Sequence, residues 1–436
     1  MTSLVRGVEP TTQDRVMPAS VRDSVAGGLL RFATVEDMVK TLRPDQPVHC
    51  LHPEELARNA DTFLQHFQGT TLFAVKSNPD PYILRLVYSR GVRHFDTASL
   101  AEIKLARGLF ADAHLAFMHP IKSREAIRAA YFEYGVRDFA VDCFEELHKI
   151  LEETNAAVDL GIHVRLTLPK GSAKLDLSTK FGATPDVAAS LLQSADKVAH
   201  RVGLCFHVGS QSMDPQSYVE AIAVAGHVVR NSGVALDVFD VGGGFPASYP
   251  GMETVPLTDY FVVIREAVKG LGLPAACQVW CEPGRAMVAS GGTLVARVEL
   301  RKGDALYLND GTYGSLFDAG WLKWTYPVRM IRPGLRARKS GMALLPYRFY
   351  GPTCDSLDAM PGPFMLPSDI CEGDWIAIGQ MGAYGASIQS HFNGFYSDQQ
   401  ALIGVDPLNL SVMNRRRRVR MSTSASDSTA SETREQ

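Results

Sequence analysis

The chain has 436 residues, of which 46% are hydrophobic and 21% charged, and its formal net charge is −3. This is the composition of a globular protein, and the near-neutral charge excludes a strongly basic nucleic-acid-binding surface. The length suits two or three domains, or one barrel with a companion domain, and no segment reaches the roughly 18 apolar residues of a membrane span.

The two ends of the chain differ from the rest. Residues 1–28 are polar with scattered prolines and lack the apolar core of a signal peptide, so we expect a loosely ordered segment. An arginine run at 415–418 precedes a Ser/Thr/Glu-rich stretch that reaches residue 436. This composition predicts a disordered, solvated tail over 413–436 rather than an RNA-binding or membrane-binding element.

Between the ends, short apolar runs alternate with helix-like segments. The runs are 71–75, 92–95, 114–117, 138–141, 160–164, 203–206, 236–240 and 278–280. The main helical segments are 99–107, 123–134, 143–154, 185–195, 215–232 and 257–271. Eight strand–helix units predict an α/β fold with a (β/α)8 TIM-like barrel over 45–290. A doubly wound open sheet is the alternative, but no GxGxxG follows the first strand.

The helical periodicity fades after residue 291. Short β-rich runs broken by Gly and Pro follow at 293–299, 305–309, 348–350 and 375–378. They predict a mostly β domain over 291–412, to which residues 29–44 contribute from the other end of the barrel. The seven cysteines are odd in number and none has C-x-x-C spacing, which predicts reduced thiols in a cytoplasmic protein and no metal site.

Chemically useful residues follow the eight predicted strands in phase. In a barrel these positions meet at one mouth, where barrel enzymes carry out their chemistry. In chain order the first of them are Lys76, Asp96, His119, Asp142, Arg165, His207, Gly242 and Glu282. Ser99 and Glu102 also have the spacing of a helix capping box.

Three of these features together suggest one cofactor. A lysine at the end of a buried strand either pairs with a carboxylate or is neutral and able to form a Schiff base. The glycine triplet 242–244 allows a close backbone approach to a phosphate, and Glu282 is a carboxylate for a ring nitrogen. Pyridoxal 5′-phosphate requires a lysine, a phosphate site and such a carboxylate.

Motifs along residues 30–410 resemble those of the fold-type III pyridoxal-phosphate decarboxylases, the ornithine/lysine/diaminopimelate decarboxylase family. They are 73–78 (FAVKSN), 94–99 (HFDTAS), 207–210 (HVGS), 242–246 (GGGFP), 282–285 (EPGR), 309–314 (NDGTYG), 351–355 (GPTCD) and 381–384 (MGAY). The resemblance implies an alanine-racemase-like fold, a barrel with a β domain.

The resemblance also implies a role for each matching residue. Lys76 forms the Schiff base, Glu282 pairs with the pyridine nitrogen, and His207 stacks on the ring. The phosphate is held by Ser210, Gly242, Gly243, Gly244, Arg285 and Tyr384, and the surroundings of the lysine and cofactor are ordered by Asp96, Glu102 and Arg165. Cys354 is the acid that protonates the carbanion, and Asp355 receives the distal amine. In the family Cys354 and Asp355 come from the partner subunit, which implies a homodimer with shared sites.

Within the family the motifs are nearest to ornithine decarboxylase, which implies conversion of L-ornithine to putrescine in polyamine biosynthesis. Ornithine decarboxylases usually carry a second amine-binding aspartate nine residues after the tyrosine that corresponds to Tyr313. Leu322 stands there, and Asp318 is the candidate replacement, with Tyr313 also facing the substrate. Lysine, diaminopimelate and related diamino acids remain alternative substrates, and an inactive regulatory homologue or a racemase are the alternatives of other classes.

Overall fold

The computed structural model describes residues 28–168, 173–175, 180–334 and 342–405. The N-terminal segment predicted over 1–28, apart from its last residue, and the tail predicted over 413–436 lie outside these ranges. Within them the chain forms a closed parallel barrel and a second, mixed sheet. No helix in the described ranges is both long enough and apolar enough to cross a membrane.

The described chain begins with two short strands on either side of one helix. They are β1 (Leu30–Phe32), α1 (Val35–Leu42) and β2 (Val48–Leu51). Thr34 caps α1, because its side chain accepts a hydrogen bond from the backbone N–H of Asp37. Neither strand joins the barrel that follows.

Eight parallel strands close into the barrel, and the last of them pairs with the first. They are β3 (Thr70–Ala74), β4 (His94–Thr97), β5 (His114–Phe117), β6 (Asp138–Val141), β7 (Gly161–Arg165), β8 (Arg201–Cys205), β9 (Val238–Asp240) and β10 (Gln278–Cys281). The predicted (β/α)8 barrel is confirmed and the open sheet is excluded, because β10 pairs with both β9 and β3.

Helices cover the outside of the barrel. They are α2 (Pro53–His66), α3 (Pro81–Arg90), α4 (Leu100–Leu109), α5 (Arg124–Phe132), α6 (Phe144–Glu153), α7 (Pro185–Ala195), α8 (Gln216–Ser232), α9 (Leu257–Lys269) and the short α10 (Arg285–Val288). Ser99 caps α4 by accepting from the N–H of Glu102 at 3.2 Å. The Glu102 carboxylate accepts from Ala98, one residue before the cap, so the predicted capping box is only half formed.

A buried polar cluster lies at the end of the barrel where the strands begin. Asp138, the first residue of β6, accepts from Nε2 of His163 at 2.7 Å, and its other oxygen lies 2.9 Å from Nε2 of His114. Burial alone would raise the pKa of Asp138, but these hydrogen bonds outweigh it and lower the pKa well below its ordinary value. The Asp138 carboxylate is therefore held between two histidines at this end of the barrel.

The domain that contains the second sheet is mostly β, as predicted. Its further elements are β11 (Gly292–Lys302), β12 (Ala305–Leu308), α11 (Phe317–Trp321), β13 (Val328–Ile331), β14 (Leu344–Tyr350), β15 (Ala359–Pro367), β16 (Trp375–Ile378) and β17 (Gln400–Ile403). The main path runs β1–β17–β2–β11–β12–β14–β15, and β16 joins β11 to β13. Both ends of the described chain therefore meet in one sheet.

The pairing of strand β2 indicates the position of the boundary between the two domains. It pairs antiparallel with β11, with Leu51 opposite Gly292, and parallel with β17. It therefore lies in the β sheet, although the predicted boundary assigns residues from 45 onward to the barrel. We propose that the boundary falls after Leu51, so that the barrel begins with α2.

Candidate active site

Lys76 lies at the mouth of the barrel, on a 3-10 turn (Val75–Ser77) that directly follows β3. Its Nζ donates to Oδ2 of Asp96 at 2.6 Å. Asp96 is on β4, where it pairs in register with Ala74 of β3, so the strand register brings the two groups together. The lysine thus has the carboxylate partner that its position at the end of a buried strand requires.

The electrostatic surroundings keep Lys76 charged when it is not bonded to a cofactor. Burial alone would lower its pKa, but Asp96 and Glu282 outweigh burial and raise the pKa above its ordinary value. The Lys76 side chain keeps 40% of its exposure, whereas Asp96 keeps 1%. The amine is therefore reachable from the mouth while its partner is held beneath it.

Segment 381–384 of the β domain packs behind this lysine. The backbone N–H of Tyr384 donates to the carbonyl of Ser77 at 2.9 Å, and the Asn78 side chain donates to the carbonyl of Gly382 at 2.8 Å. The turn that carries Lys76 is consequently fixed by both domains.

Glu282 follows β10 and belongs to a second group of carboxyls. Its neighbour Asp240 is the last residue of β9 and is fully buried. Burial, Asp240 and Asp96 raise the pKa of Glu282 well above its ordinary value, in spite of Lys76 and Arg165. Asp240 was not among the predicted site residues, although a carboxylate at the end of a barrel strand, as at Asp96, is a usable signal.

His207 follows β8 and is uncharged in this environment. Burial, together with the cations Arg165 and Lys76, lowers its pKa well below the ordinary value. Its Nδ1 accepts from the N–H of Gly209 at 3.0 Å, which assigns the ring proton to Nε2. A neutral ring held at Nδ1 can present its face to a flat ligand.

The glycine triplet has little room for side chains. Gly242 and Gly244 have φ of +68° and +108°, and the N–H of Gly242 donates to Oδ1 of Asp240 at 2.8 Å. A Cβ on Gly243 would lie 2.6 Å from the carbonyl oxygen of Glu282 and 3.0 Å from Nε2 of His207. Among the described residues, the N–H groups of Gly243 and Gly244 find no acceptor. They remain available to an anion.

Arg285 begins α10 and is buried among aromatic rings. Its Nη1 lies 3.0 Å from the Tyr249 hydroxyl and 3.2 Å from Oδ2 of Asp318, and its guanidinium lies 4.8 Å from the ring centre of Tyr384. Its Nε is buried and has no partner in the described residues. Nη1 of the guanidinium is therefore occupied by Tyr249 and Asp318, whereas Nε is available to a ligand.

Ser210 and Arg165 complete the predicted cofactor set. The backbone of Ser210 exchanges two hydrogen bonds with Leu175, at 3.0 and 3.2 Å. Arg165 ends β7, its guanidinium lies 5.4 Å from the ring centre of Phe181, and its charge acts on both His207 and Glu282. The structure thus gathers every predicted cofactor residue at one end of the barrel.

Tyr313, Cys354 and Asp355 of the β domain form a separate group, in which Cys354 is exposed and the other two are half-buried. The Tyr313 hydroxyl donates to Oδ2 of Asp355 at 2.6 Å, and the N–H of Cys354 donates to Oδ1 of Asn393 at 3.3 Å. The ring of Phe392 lies 4.8 Å from that of Tyr313. In the described parts of the chain, Tyr313, Cys354 and Asp355 make no hydrogen bond or ion pair with the residues around Lys76.

The residues around Lys76 fit pyridoxal 5′-phosphate. The amine of Lys76 suits its aldehyde, Oε1 of Glu282 is a buried acceptor without a partner, and Nε of Arg285 is a buried donor without a partner. The N–H groups of Gly243 and Gly244, which find no acceptor in the described residues, supply further donors to a phosphate. Buried polar atoms without partners need a ligand to satisfy them.

Comparison with known proteins identifies the family. Residues 54–289 match the family model described as the pyridoxal-binding domain of pyridoxal-dependent decarboxylases. The lysine/ornithine decarboxylase of Selenomonas ruminantium is 33% identical over 377 residues, which cover 84% of this chain and 92% of that protein.

Two solved structures extend the similarity to the whole fold. The lysine/ornithine decarboxylase of Vibrio vulnificus, complexed with putrescine, superposes with a TM-score of 0.72 at 31% identity and covers 85% of this chain and 99% of its own. The arginine decarboxylase of Paramecium bursaria Chlorella virus, bound to agmatine, gives 0.74 at 26% identity with the same coverage. The chain therefore belongs to the fold-type III, pyridoxal-phosphate-dependent decarboxylases of basic amino acids.

Proposed function

We propose that the protein converts L-ornithine to putrescine and carbon dioxide, with L-lysine as its second substrate. The observation that carries the proposal is the Lys76–Asp96 pair at a barrel mouth that also holds Glu282 and an incompletely paired Arg285. Relatives named lysine/ornithine decarboxylase, one of them complexed with putrescine, support a diamino acid as the substrate.

In this proposal each residue at the mouth has one task toward the cofactor. Lys76 bonds to its aldehyde carbon, Glu282 accepts from the ring nitrogen, and His207 packs on the ring. Arg285, Tyr384, Ser210 and the N–H groups of the glycine loop bind the phosphate. A buried charge-assisted contact such as that of Arg285 is stronger than a neutral one.

The chemistry that the cofactor supplies when bound is a sink for the electron pair left at the α-carbon as carbon dioxide departs. Asp96 would hold the Lys76 amine in place beside the cofactor. Glu282 keeps the ring nitrogen protonated, and the Cys354 thiol gives its proton to the α-carbon. The balance is one amino acid and one proton consumed for one amine and one carbon dioxide.

We propose that Cys354 and Asp355 act in the site of a second copy of the chain. Exposed apolar side chains lie close to them in the sequence or near Tyr313: Trp321, Leu357, Phe392, Phe395 and Tyr396. Exposed clusters of large apolar residues mark interaction surfaces. A two-fold dimer that covers them would bring Cys354 of one subunit to Lys76 of the other.

Asp318 receives a different role from the one predicted for it. Its carboxylate pairs with Arg285, so it is engaged by the phosphate-binding arginine rather than free for a substrate amine. We propose that it positions Arg285, and that Asp355 is the carboxylate for the distal ammonium. With Leu322 at the family's second aspartate position, a longer diamino acid such as lysine also fits.

The unpaired state of all seven cysteines supports a cytoplasmic location.

The test is a substrate panel with the cofactor-loaded protein. L-Ornithine, L-lysine, L-arginine and diaminopimelate are incubated separately, and carbon dioxide and amine are both quantified. We expect the highest kcat/KM for ornithine and measurable cadaverine formation from lysine. A higher kcat/KM for arginine or diaminopimelate, or no turnover of ornithine and lysine, would refute the substrate proposal and leave the family assignment intact.

A further inference from the structure

Asp240 and Glu282 carry two neighbouring buried carboxyl groups at the mouth of the barrel. Asp240 ends β9 and Glu282 directly follows the adjacent strand β10, with Asp240 opposite Trp280 in the β9–β10 register. Oδ2 of Asp240 and Oε1 of Glu282 are buried, and neither has a donor in the described residues. Asp240 lies close enough to Glu282 to act on it as a like charge. Two buried carboxylates that lie side by side without a donor between them repel each other when both are ionised, so a shared proton stabilises the pair.

The contacts of Asp240 leave one place for that proton in the working site. Oδ1 accepts from the N–H of Gly242 at 2.8 Å, so an O–H on Asp240 must lie on Oδ2, the oxygen without a donor. Lys76 and Arg165 lie close enough to Glu282 to favour its ionised form. Any ring N–H donated to Glu282 acts in the same direction.

We propose that Asp240 is a positioning residue that carries the shared proton and donates it to Glu282, so that Glu282 stays ionised and directed at the ring nitrogen. The proton moves only within the pair: an O–H bond on Glu282 is exchanged for one on Asp240. Through Gly242, the same aspartate also fixes the loop beside the phosphate. This inference rests on the proposed role of Glu282 and adds a residue to it.

Without the cofactor the proton of the pair lies on Glu282, and a ring N–H donated to Glu282 is what moves it to Asp240. Burial raises the pKa of Asp240 to about 6 and, with Asp240 as a like charge, raises that of Glu282 well above its ordinary value. The pair therefore keeps a proton at neutral pH. The other titratable groups that face it are Asp96 on β4, His163 on β7, Cys205 on β8, Cys281 on β10, Lys76 and Arg165.

The test uses substitutions that separate the proton from the charge. Asp240→Asn copies the protonated state, because its oxygen still accepts from Gly242 and its NH₂ donates to Glu282. Asp240→Ala removes both contacts. The full-length apoprotein is titrated with pyridoxal phosphate between pH 6 and 10, and binding is followed by fluorescence and by visible absorbance.

We expect Asp240→Asn to bind the cofactor within about threefold of wild type and Asp240→Ala to bind it about ten- to a hundredfold more weakly. The wild type loses affinity at alkaline pH as the pair gives up its last proton, and Asp240→Asn lacks that loss. Asp310→Asn is the matched control, since Asp310 is buried in the β domain and burial also raises its pKa to about 6.

Three results would overturn the inference: an Asn variant as weak as the Ala variant with both folded by circular dichroism, an Ala variant that binds like wild type, or identical pH profiles for wild type and Asp240→Asn. If Asp240→Ala does not fold, Asp240→Ser replaces it, since serine keeps an acceptor for Gly242 but is too short to reach Glu282. Unchanged binding in Glu282→Gln refutes the role proposed for Glu282 itself, a separate outcome.

Discussion

Nη1 of Arg285 lies 3.2 Å from Oδ2 of Asp318, so a cation expected to bind phosphate already has a carboxylate partner in its own chain. Both side chains are more than nine-tenths buried. Because the pair is shielded from water, its charges act on each other strongly and fix the guanidinium in one orientation. The pairing gives Asp318 a different role from that of Asp355, although the sequence predicted both as substrate ligands.

Asp318→Asn and Asp355→Asn should therefore behave differently. At saturating cofactor, we expect Asp355→Asn to raise the KM for ornithine by about ten- to a hundredfold, the value of a charge-assisted hydrogen bond. Asp318→Asn should leave that KM within about twofold. Steady-state kinetics with ornithine measures both, and an equal rise in the two variants would return Asp318 to the substrate site.

Lys76→Ala should abolish both turnover and the visible absorbance of the lysine-bound cofactor, since Lys76 is the amine that pairs with Asp96 at the mouth. Borohydride reduction of the native protein followed by peptide mapping identifies the modified residue. Lys122 is the informative comparison, because burial lowers its pKa to about 8 and a neutral amine can react. It donates to the carbonyls of His119 and Ala140 inside the fold, and labelling there would contradict the assignment.

Arg285→Ala should weaken binding of pyridoxal phosphate by about ten- to a hundredfold, because a charge-assisted contact of about 1.5–3 kcal/mol is lost. Equilibrium titration of the apoprotein gives the value. Arg332→Ala is the matched control, since Arg332, like Arg285, is paired with carboxylate, here that of Asp369 and of Asp374, but lies in the β domain away from Lys76. Equal affinities in the two variants would remove Arg285 from the phosphate site.

A mixture of two inactive variants should regain activity if the sites are shared. Lys76→Ala lacks the cofactor amine and Cys354→Ala lacks the proton donor, yet a heterodimer of the two contains one intact site. We expect activity to return only under conditions of subunit exchange, which mass spectrometry can verify independently. Exchange without recovery means that each site is built from a single chain.

Protein stability should fall as the pH drops from 6.5 toward 4. Burial lowers the pKa of His49 from 6.5 to about 4, so over this range the unfolded chain binds a proton that the folded chain does not. The loss from this residue is about 3 kcal/mol. Chemical denaturation at several pH values gives the free energy of unfolding as a function of pH. We expect this free energy to fall less steeply toward low pH in His49→Gln than in His66→Gln, the exposed control. Parallel slopes would show that His49 does not control this loss.

The barrel and its mouth were predictable because strand and helix periods alternate regularly and because parallel strands align their carboxyl ends. That rule alone places Lys76 and Glu282 on the same side. It says nothing about which neighbours touch, so the pairing of Arg285 with Asp318 could not be read from spacing. Asp240 was not predicted as a site residue, because it ends an apolar run and the phosphate site was predicted for the glycine triplet that follows.

The short strands at the ends of the chain were the harder part. Strands β1 and β17 have three and four residues, too few to establish a period of two. Their pairing joins Leu30 to Ala401, and no local pattern encodes a contact over that separation. The predicted β domain was right in kind, but its membership depended on pairing rather than on composition.

That same sheet has a consequence for the order of folding during synthesis. Strand β1 pairs with β17, and β2 pairs with β11 and β17, so neither can find a partner until the whole barrel has been translated. The strand order therefore allows the barrel to close on the ribosome before these leading strands have partners. The turn that bears Lys76 becomes fixed on its outer side only after segment 381–384 emerges, which makes the working enzyme a late product of translation.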